Sequence, residues 1–223
     1  MTTEPTLKLD FYFSLRSPYS YLILPRIKML RDKYGININF KLVYPIAIRM
    51  PEFFEKKNFF TYFGWKMIDM KFKARKLGMK MVFPLRPDPI QQDTMTGKIS
   101  DQQPYIFDIC HFLQAIEKEK QLDFALGISE CIFGGVKNWN KDETIIKITS
   151  KIGLDFHKIK QRVLEDKDTL INEIKKNQKE QLEAGHHGVP LSVINKKFFF
   201  GQDKFDELFK ELKKLGLIKT NEH

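Results

Sequence analysis

One local pattern restricts this chain more than any other: an alternating run, a Ser-Pro step, a helical run stopped by glycine, then a second alternating run. Leu7, Leu9, Phe11 and Phe13 recur at every second residue, the period of a strand with one buried face. Ser17 and Pro18 follow. Serine is a favoured N-cap and proline suits the first helical position, so this pair predicts a helix starting at Pro18. The helical pattern runs to about Tyr34, and Gly35 is its stop signal. Pro25 lies inside it and is expected to kink it, because proline lacks the N–H that bonds back one turn. Ile36, Ile38, Phe40 and Leu42 then share one face of a second strand, predicted over Ile36–Val43. A β-α-β opening implies a parallel pair joined by a right-handed crossover.

Pro45 and Pro51 mark a change of texture. From there to about Ala184 helical spacing dominates, with helices expected over Phe60–Leu77, Pro104–Glu117, Asp123–Phe133, Lys141–Ile152, Phe156–Glu165 and Thr169–Ala184. Asn140, with Glu143 three residues on, resembles a capping box, and Gly153 ends that helix. Pro84–Gln103 is rich in Pro, Asp and Gln and reads as a loop. Strand character returns at Leu191–Ile194. Asn195-Lys196-Lys197 is a turn, Phe198–Phe200 a further strand, and Asp203–Leu215 a last helix with Phe205, Leu208, Phe209 and Leu212 on one face. The expected class is α/β: a thioredoxin-like fold (β-α-β then β-β-α) interrupted by a large all-helical insertion. Residues 1–46 and 185–223 would form the thioredoxin-like domain and 47–184 the insertion.

The chain has 223 residues, 38 basic against 28 acidic, and a net charge of +10. The basic residues are dispersed, which suits a solvated surface or a field that attracts anionic small molecules. No basic stripe, zinc spacing or RNA-binding aromatic motif points to nucleic acid. No apolar run reaches the ~18 residues of a membrane span. Met1–Thr6 lacks the basic and apolar regions of a signal peptide. Cys110 and Cys131 form no CxxC and no metal-ligand spacing, so they read as ordinary thiols of a reducing, cytoplasmic setting, with no metal expected.

Three short constellations can carry chemistry. Ser17-Pro18-Tyr19-Ser20 places a hydroxyl at a helix N-terminus, where backbone N–H groups and the dipole favour an anion. Strand, loop and Ser-Pro opening a helix is the layout of a thioredoxin-type active site, with Ser17 and Ser20 at the positions usually held by cysteine. The pair is also an ordinary helix cap. Gly188-Val189-Pro190 precedes the returning strand; it is either a simple turn or a cis Val-Pro peptide whose Val189 backbone faces a ligand. Gly201-Gln202-Asp203 opens the last helix. Asp203 either caps that helix or pairs with an ammonium while the helix end binds a carboxylate, and a γ-glutamyl group presents both.

Asp10-Phe11-Tyr12-Phe13, Ser17-Pro18-Tyr19-Ser20-Tyr21-Leu22, Val82-Phe83-Pro84, Trp139 with Glu143 and Ile145, Gly188-Val189-Pro190 and Phe200-Gly201-Gln202-Asp203 together resemble the 2-hydroxychromene-2-carboxylate isomerase family. That family is close to the kappa-class glutathione transferases, in the disulfide-oxidoreductase branch of the thioredoxin superfamily. The resemblance implies a glutathione-dependent, dimeric enzyme acting on a small anionic aromatic substrate. It implies that Ser17 is the catalytic serine, and that Ser17, Pro18, Tyr19, Val189, Pro190, Gln202 and Asp203 line the glutathione site. Where the family has Asn and Lys ahead of its Phe-Pro pair, this chain has Lys56, Lys57 and Tyr62, with Lys57 and Lys66 as alternatives for the glycyl end. Arg16 is a departure that would add positive potential or contact an acidic substrate.

Four activities then compete: isomerisation by reversible addition of the glutathione thiolate, conjugation of glutathione to an electrophile, a binding module without chemistry, and disulfide exchange. The last needs a thiolate at the helix start and a resolving partner, which Ser17 and Ser20 do not supply.

Overall fold

A computed structural model describes residues 7–52, 59–93, 96 and 98–218. The opening is as the alternation predicts: β1 (Lys8–Phe13), α1 (Pro18–Tyr34) and β2 (Asn37–Leu42). α1 begins where Ser17, in an extended conformation, accepts the Ser20 N–H on its Oγ at 3.2 Å. It ends at Gly35, whose φ of +63° lets the chain turn out of the helix while the Gly35 and Ile36 N–H groups bond back to Arg31 and Leu30. Pro25 sits on the exposed side of α1 without ending it.

A single turn, α2 (Ile46–Arg49), leads into the helical block. The block comprises α3 (Phe59–Lys76), α4 (Ile106–Ala115), α5 (Lys118–Gly134), α6 (Asp142–Lys151), α7 (Phe156–Glu165) and α8 (Lys167–Glu183). β3 (Leu191–Ile194), β4 (Lys197–Phe200), a 3-10 turn (Gln202–Lys204) and α9 (Phe205–Lys214) close the chain. Among its described residues the expected Pro84–Gln103 loop contains only an isolated bridge, Gln92 to Ile99.

The sheet order is β2-β1-β3-β4. β1 runs parallel to β2, with Lys8 opposite Asn37 and Phe13 opposite Leu42. It runs antiparallel to β3, with Asp10 opposite Val193 and Tyr12 opposite Leu191. Asn195 and Lys196, both at positive φ, turn β3 into β4. This is the thioredoxin-like arrangement with an all-helical insertion.

Because side chains alternate, Leu9, Phe11 and Phe13 enter the main core and Tyr12 faces the other way, against Val43 and Leu191. Phe11, Phe13 and Phe40 cluster with ring centroids 5.3–6.4 Å apart. Leu22, Ile23, Ile27 and Leu30 of α1 join the same core, as do Phe205, Leu208 and Leu212 of α9. Each fully buried Phe or Leu contributes about 1.5–3 kcal/mol. α5 is clamped onto α1 by the stacked rings of Tyr21 and Phe133, 5.1 Å apart. Asp123 reinforces it by receiving Arg31 through two bonds of 2.8 and 2.9 Å and Lys28 at 2.8 Å.

Three expected helix starts differ in ways the sequence explains. α5 begins at Lys118 rather than Asp123, since its first turn is exposed and lacks apolar periodicity. The N-cap of α6 is Lys141, without a side-chain cap bond, so Asn140 does not form the expected capping box. The last helix is preceded by the 3-10 turn, so the α-helix proper starts at Phe205 and not at Asp203.

Candidate functional site

Two of the three constellations meet at the end of β1. Ser17 Oγ lies 3.4 Å from the carbonyl oxygen of Val189, to which it donates while accepting from Ser20 N–H. Val189–Pro190 is a cis peptide. The third constellation is held beside the second, because the Gly201 N–H donates to the Pro190 carbonyl at 2.9 Å. It is tied to α1 as well: Arg26 of α1 donates to the Gln202 carbonyl at 3.0 Å and to its Oε1 at 2.5 Å. Residues 17, 189 and 202, separated by most of the sequence, are thus drawn to one end of the sheet.

Gly188 is required there by space. A Cβ on it would lie 2.4 Å from Phe200 Cε2 and 2.7 Å from His186 Cε1, well inside contact distance. The His186 ring stacks on Phe200 with centroids 3.9 Å apart and accepts the Gly188 N–H on Nδ1 at 2.8 Å. Gln181 completes the support by donating Nε2 to the Gly188 carbonyl at 2.7 Å.

The Ser-Pro-Tyr-Ser segment divides its work. Ser17 and Pro18 are half-buried at the helix end, while Ser20 is fully buried and faces the core. Of the two serines at the usual cysteine positions, Ser17 is partly open to solvent and Ser20 is not. Tyr19 is half-buried and donates its hydroxyl to Asp69 of α3 at 2.8 Å. Lys73, one turn on from Asp69, bridges Asp69 at 3.0 Å and Asp203 at 2.7 Å, with its ammonium 5.2 Å from the Tyr19 ring centroid. Burial acts to lower the Lys73 pKa, but the bonds from Asp203 and Asp69 outweigh it and hold it above the ordinary lysine value. In Asp69 the bonds from Lys73 and Tyr19 likewise overcome desolvation and depress the carboxyl pKa.

Asp203 therefore caps no helix. Its carboxylate accepts an ammonium, from Lys73, and the Gln202 amide. The ammonium that meets Asp203 is thus the chain's own Lys73, from the helical insertion. The Gln202 side chain is buried, with its oxygen taken by Arg26.

Arg16 donates to Asp88 through two parallel bonds of 2.6 and 2.7 Å, so its charge is neutralised by the loop rather than projected over Ser17. That loop carries cis peptides at Phe83–Pro84 and Arg86–Pro87 and is pinned by Trp139, whose indole N–H donates to the Pro87 carbonyl at 2.8 Å. Lys57 lies outside the described residues; Lys66 is half-buried on α3. Lys73, Asp69, Arg26 and Asp88 were not visible as site residues in the sequence. They are charged side chains on helices and a loop, and no local pattern distinguishes them from solvated neighbours.

Cys110 is buried, and burial pushes its thiol pKa up; Cys131 is half-buried and is raised by burial and by Glu130. Both stay protonated thiols. Among the described residues no group of three His, Cys, Asp or Glu side chains could hold a metal ion, and no helix is long and apolar enough to cross a membrane.

The fold resembles that of 2-hydroxychromene-2-carboxylate isomerase with a TM-score of 0.71 at 16% sequence identity, over 94% of this chain and 96% of that one. It also resembles a probable DsbA oxidoreductase from Streptomyces coelicolor, with a TM-score of 0.64 at 14% identity over 97% and 93% of the two chains. The cytosolic disulfide reductase DsbM from Pseudomonas aeruginosa, in its structure with GSH, gives a TM-score of 0.55 at 10% identity over 93% and 100%. At such identities the likeness is one of fold. No curated protein matches the chain in sequence. The DSBA-like thioredoxin domain model matches residues 8–213, from the first strand to the last helix. The chain belongs to the DSBA-like thioredoxin domain family.

Proposed function

We propose that this protein is a glutathione-dependent isomerase of the 2-hydroxychromene-2-carboxylate isomerase type, acting on a small anionic aromatic substrate. The observation that carries this reading is the Ser17 hydroxyl, at the N-terminus of α1 and 3.4 Å from the Val189 carbonyl. A weak, long bond to Val189 is readily exchanged for a charged acceptor. The structural likeness to that isomerase and to a reductase determined with GSH supports the same reading, as does the positive net charge of +10.

The residues present fit glutathione at three points. Ser17 would face the sulfur, the Val189 backbone the cysteinyl unit, and Gln202-Asp203 the γ-glutamyl end. When bound, glutathione supplies a thiol that adds reversibly to an unsaturated acceptor and is regenerated unchanged. The protein keeps that sulfur anionic. A hydrogen bond from Ser17 to a charged acceptor contributes about 1.5–3 kcal/mol. The dipole of α1 adds about 0.3–2 kcal/mol. At about 1.36 kcal/mol per pKa unit, the two together lower a thiol pKa by about one to four units, and a drop of about two units from the ordinary ~8.5 ionises most of it at neutral pH. Pro18, which has no N–H, leaves the Ser17 hydroxyl as the first donor of the helix end. Asp203 would accept the γ-glutamyl ammonium in place of, or together with, Lys73.

The assembly proposed is a homodimer. α3 exposes Trp65 (77%), Ile68 (64%) and Phe72 (57%) at helical spacing, an apolar stripe suited to a second copy. Two thiols with no disulfide suit a reducing, cytoplasmic setting.

Titrating the protein with glutathione while following ultraviolet thiolate absorbance tests the cofactor site. Saturable thiolate formation near neutral pH is expected; its absence rejects the reading. Product analysis then separates isomerisation, which leaves total glutathione constant, from the kappa-class-like transfer that consumes it stoichiometrically.

A further inference from the structure

A cleft of about 500 Å³ opens between α2, α4 and α8, lined by none of the residues assigned above to glutathione. We propose that it is a second binding site, selective for a carboxylate carried on an apolar body. Its walls are Ile48, Phe107 and Ile171, and the charged groups that line it are Arg49, Lys167 and Lys175. All three are cations. The volume lies in the range of small-molecule sites, which are apolar with a few placed polar groups.

Among the described residues these three cations face no counter-charge. Arg49 is half-buried, yet its guanidinium bonds only to neutral acceptors: the Tyr44 carbonyl at 2.7 Å, the His187 carbonyl at 3.0 Å and Gln181 Oε1 at 3.2 Å. Burial lowers its pKa to about 10 with no carboxylate acting to raise it. Lys167 stands at the first position of α8, where the helix dipole disfavours a cation. Neither Lys167 nor Lys175 forms an ion pair among the described residues. By contrast, Lys41 and Lys176 both reach Glu180 of the same helix. Glu173, on the same helix, is turned to Gln114 Nε2 at 2.8 Å.

The floor adds no charge. Tyr44 and His111 are buried and close on each other, hydroxyl to Nε2, at 2.8 Å. Burial, and the Lys167 charge, push the His111 pKa down; Asp108 opposes them only in part. Recognition of an anion therefore falls to Arg49 and the two lysines at the rim, with the Phe107 ring and two isoleucines for the apolar body. Burying an apolar body alone would not need three cations, and a phosphate-like ion alone would not need the apolar walls.

The test is calorimetric titration of the intact protein with 2-naphthoate, with neutral 2-naphthamide in parallel. Because Lys167 and Lys175 are exposed, the Lys167→Glu/Lys175→Glu double variant changes charge without disturbing the core, and an unchanged thermal melt verifies this. Ile171→Trp, which fills the cleft, is the second variant. The expected result is saturable one-to-one naphthoate binding, at least tenfold weaker for the amide, for the double variant and for Ile171→Trp. Absence of naphthoate binding, equal binding of the amide, or full binding by the double variant overturns the proposal. Each outcome stands whether or not the protein binds glutathione.

Discussion

Ser17→Ala removes two interactions at once, and the structure allows them to be separated. The first is the cap: Ser17 Oγ accepts the Ser20 N–H at 3.2 Å, and losing such a cap costs about 0.5–2 kcal/mol of stability. The second is the donor to a bound anion, about 1.5–3 kcal/mol, or about one to two units of thiol pKa. The bond to Val189 that the hydroxyl gives up is long, 3.4 Å, so little is recovered elsewhere. With glutathione bound, the thiolate titration midpoint should rise by that amount and turnover should fall about 10²-fold or more, as when an oxyanion donor is lost. Ser17→Thr, which keeps cap and donor, should restore both. Ser17→Asp should restore only the cap, since a carboxylate caps well but repels the anion. An Ala variant whose bound thiol titrates at the parental pH would refute the assignment. So would an Asp variant that binds glutathione normally.

Three other perturbations bear on the same structure. Asp203→Asn should weaken glutathione binding by about 1–3 kcal/mol, while Lys73→Met, by freeing the carboxylate, should strengthen it; calorimetry showing both variants weakened alike would assign the anchor to Lys73 instead. His111 has its pKa lowered mainly by burial, so the unfolded chain takes up more protons below the ordinary value of about 6.5. Stability should be fully present above that pH and decline as pH falls toward the folded-state value, and denaturant titrations of His111→Gln should show a shallower decline. Trp139→Phe strands the Pro87 carbonyl and leaves space around a residue only 1% exposed. A loss of about 1–3 kcal/mol is expected for the unsatisfied group, measured by thermal or chemical unfolding; an unchanged midpoint would show that the loop does not depend on this pin.

Much of the scaffold could be read from the chain, for identifiable reasons. β1, α1 and β3 fall at Lys8–Phe13, Pro18–Tyr34 and Leu191–Ile194 as expected, because alternation, Ser-Pro and Gly35 are local signals that the tertiary structure reinforces. Ser17 and Val189 were each legible as motif residues, and the fold brings them into contact. Polar clusters were not legible. In Asn138–Lys141 several residues compete to begin α6, and Lys141 takes the place without a cap bond. Lys73 and Asp69 lie one turn apart on a helix rich in lysine, and only the position of Asp203 gives them meaning. The cationic cleft combines residues from α2, α4 and α8 with the end of β2, so no window of sequence contains it.

The middle position of β1 in the sheet has a consequence for biogenesis. Its parallel neighbour, Asn37–Leu42, leaves the ribosome shortly after it, whereas its antiparallel neighbour, Leu191–Val193, emerges only after the whole helical block has been translated. Until then one flank of β1 offers unsatisfied backbone groups, a template for mispairing with other nascent chains. Closing it depends on a pairing of very high contact order, which slows folding. The same late segment delivers Val189 to Ser17. Sealing the vulnerable strand and completing the candidate catalytic centre are therefore one event, and a chain stalled before it would be both sticky and inert.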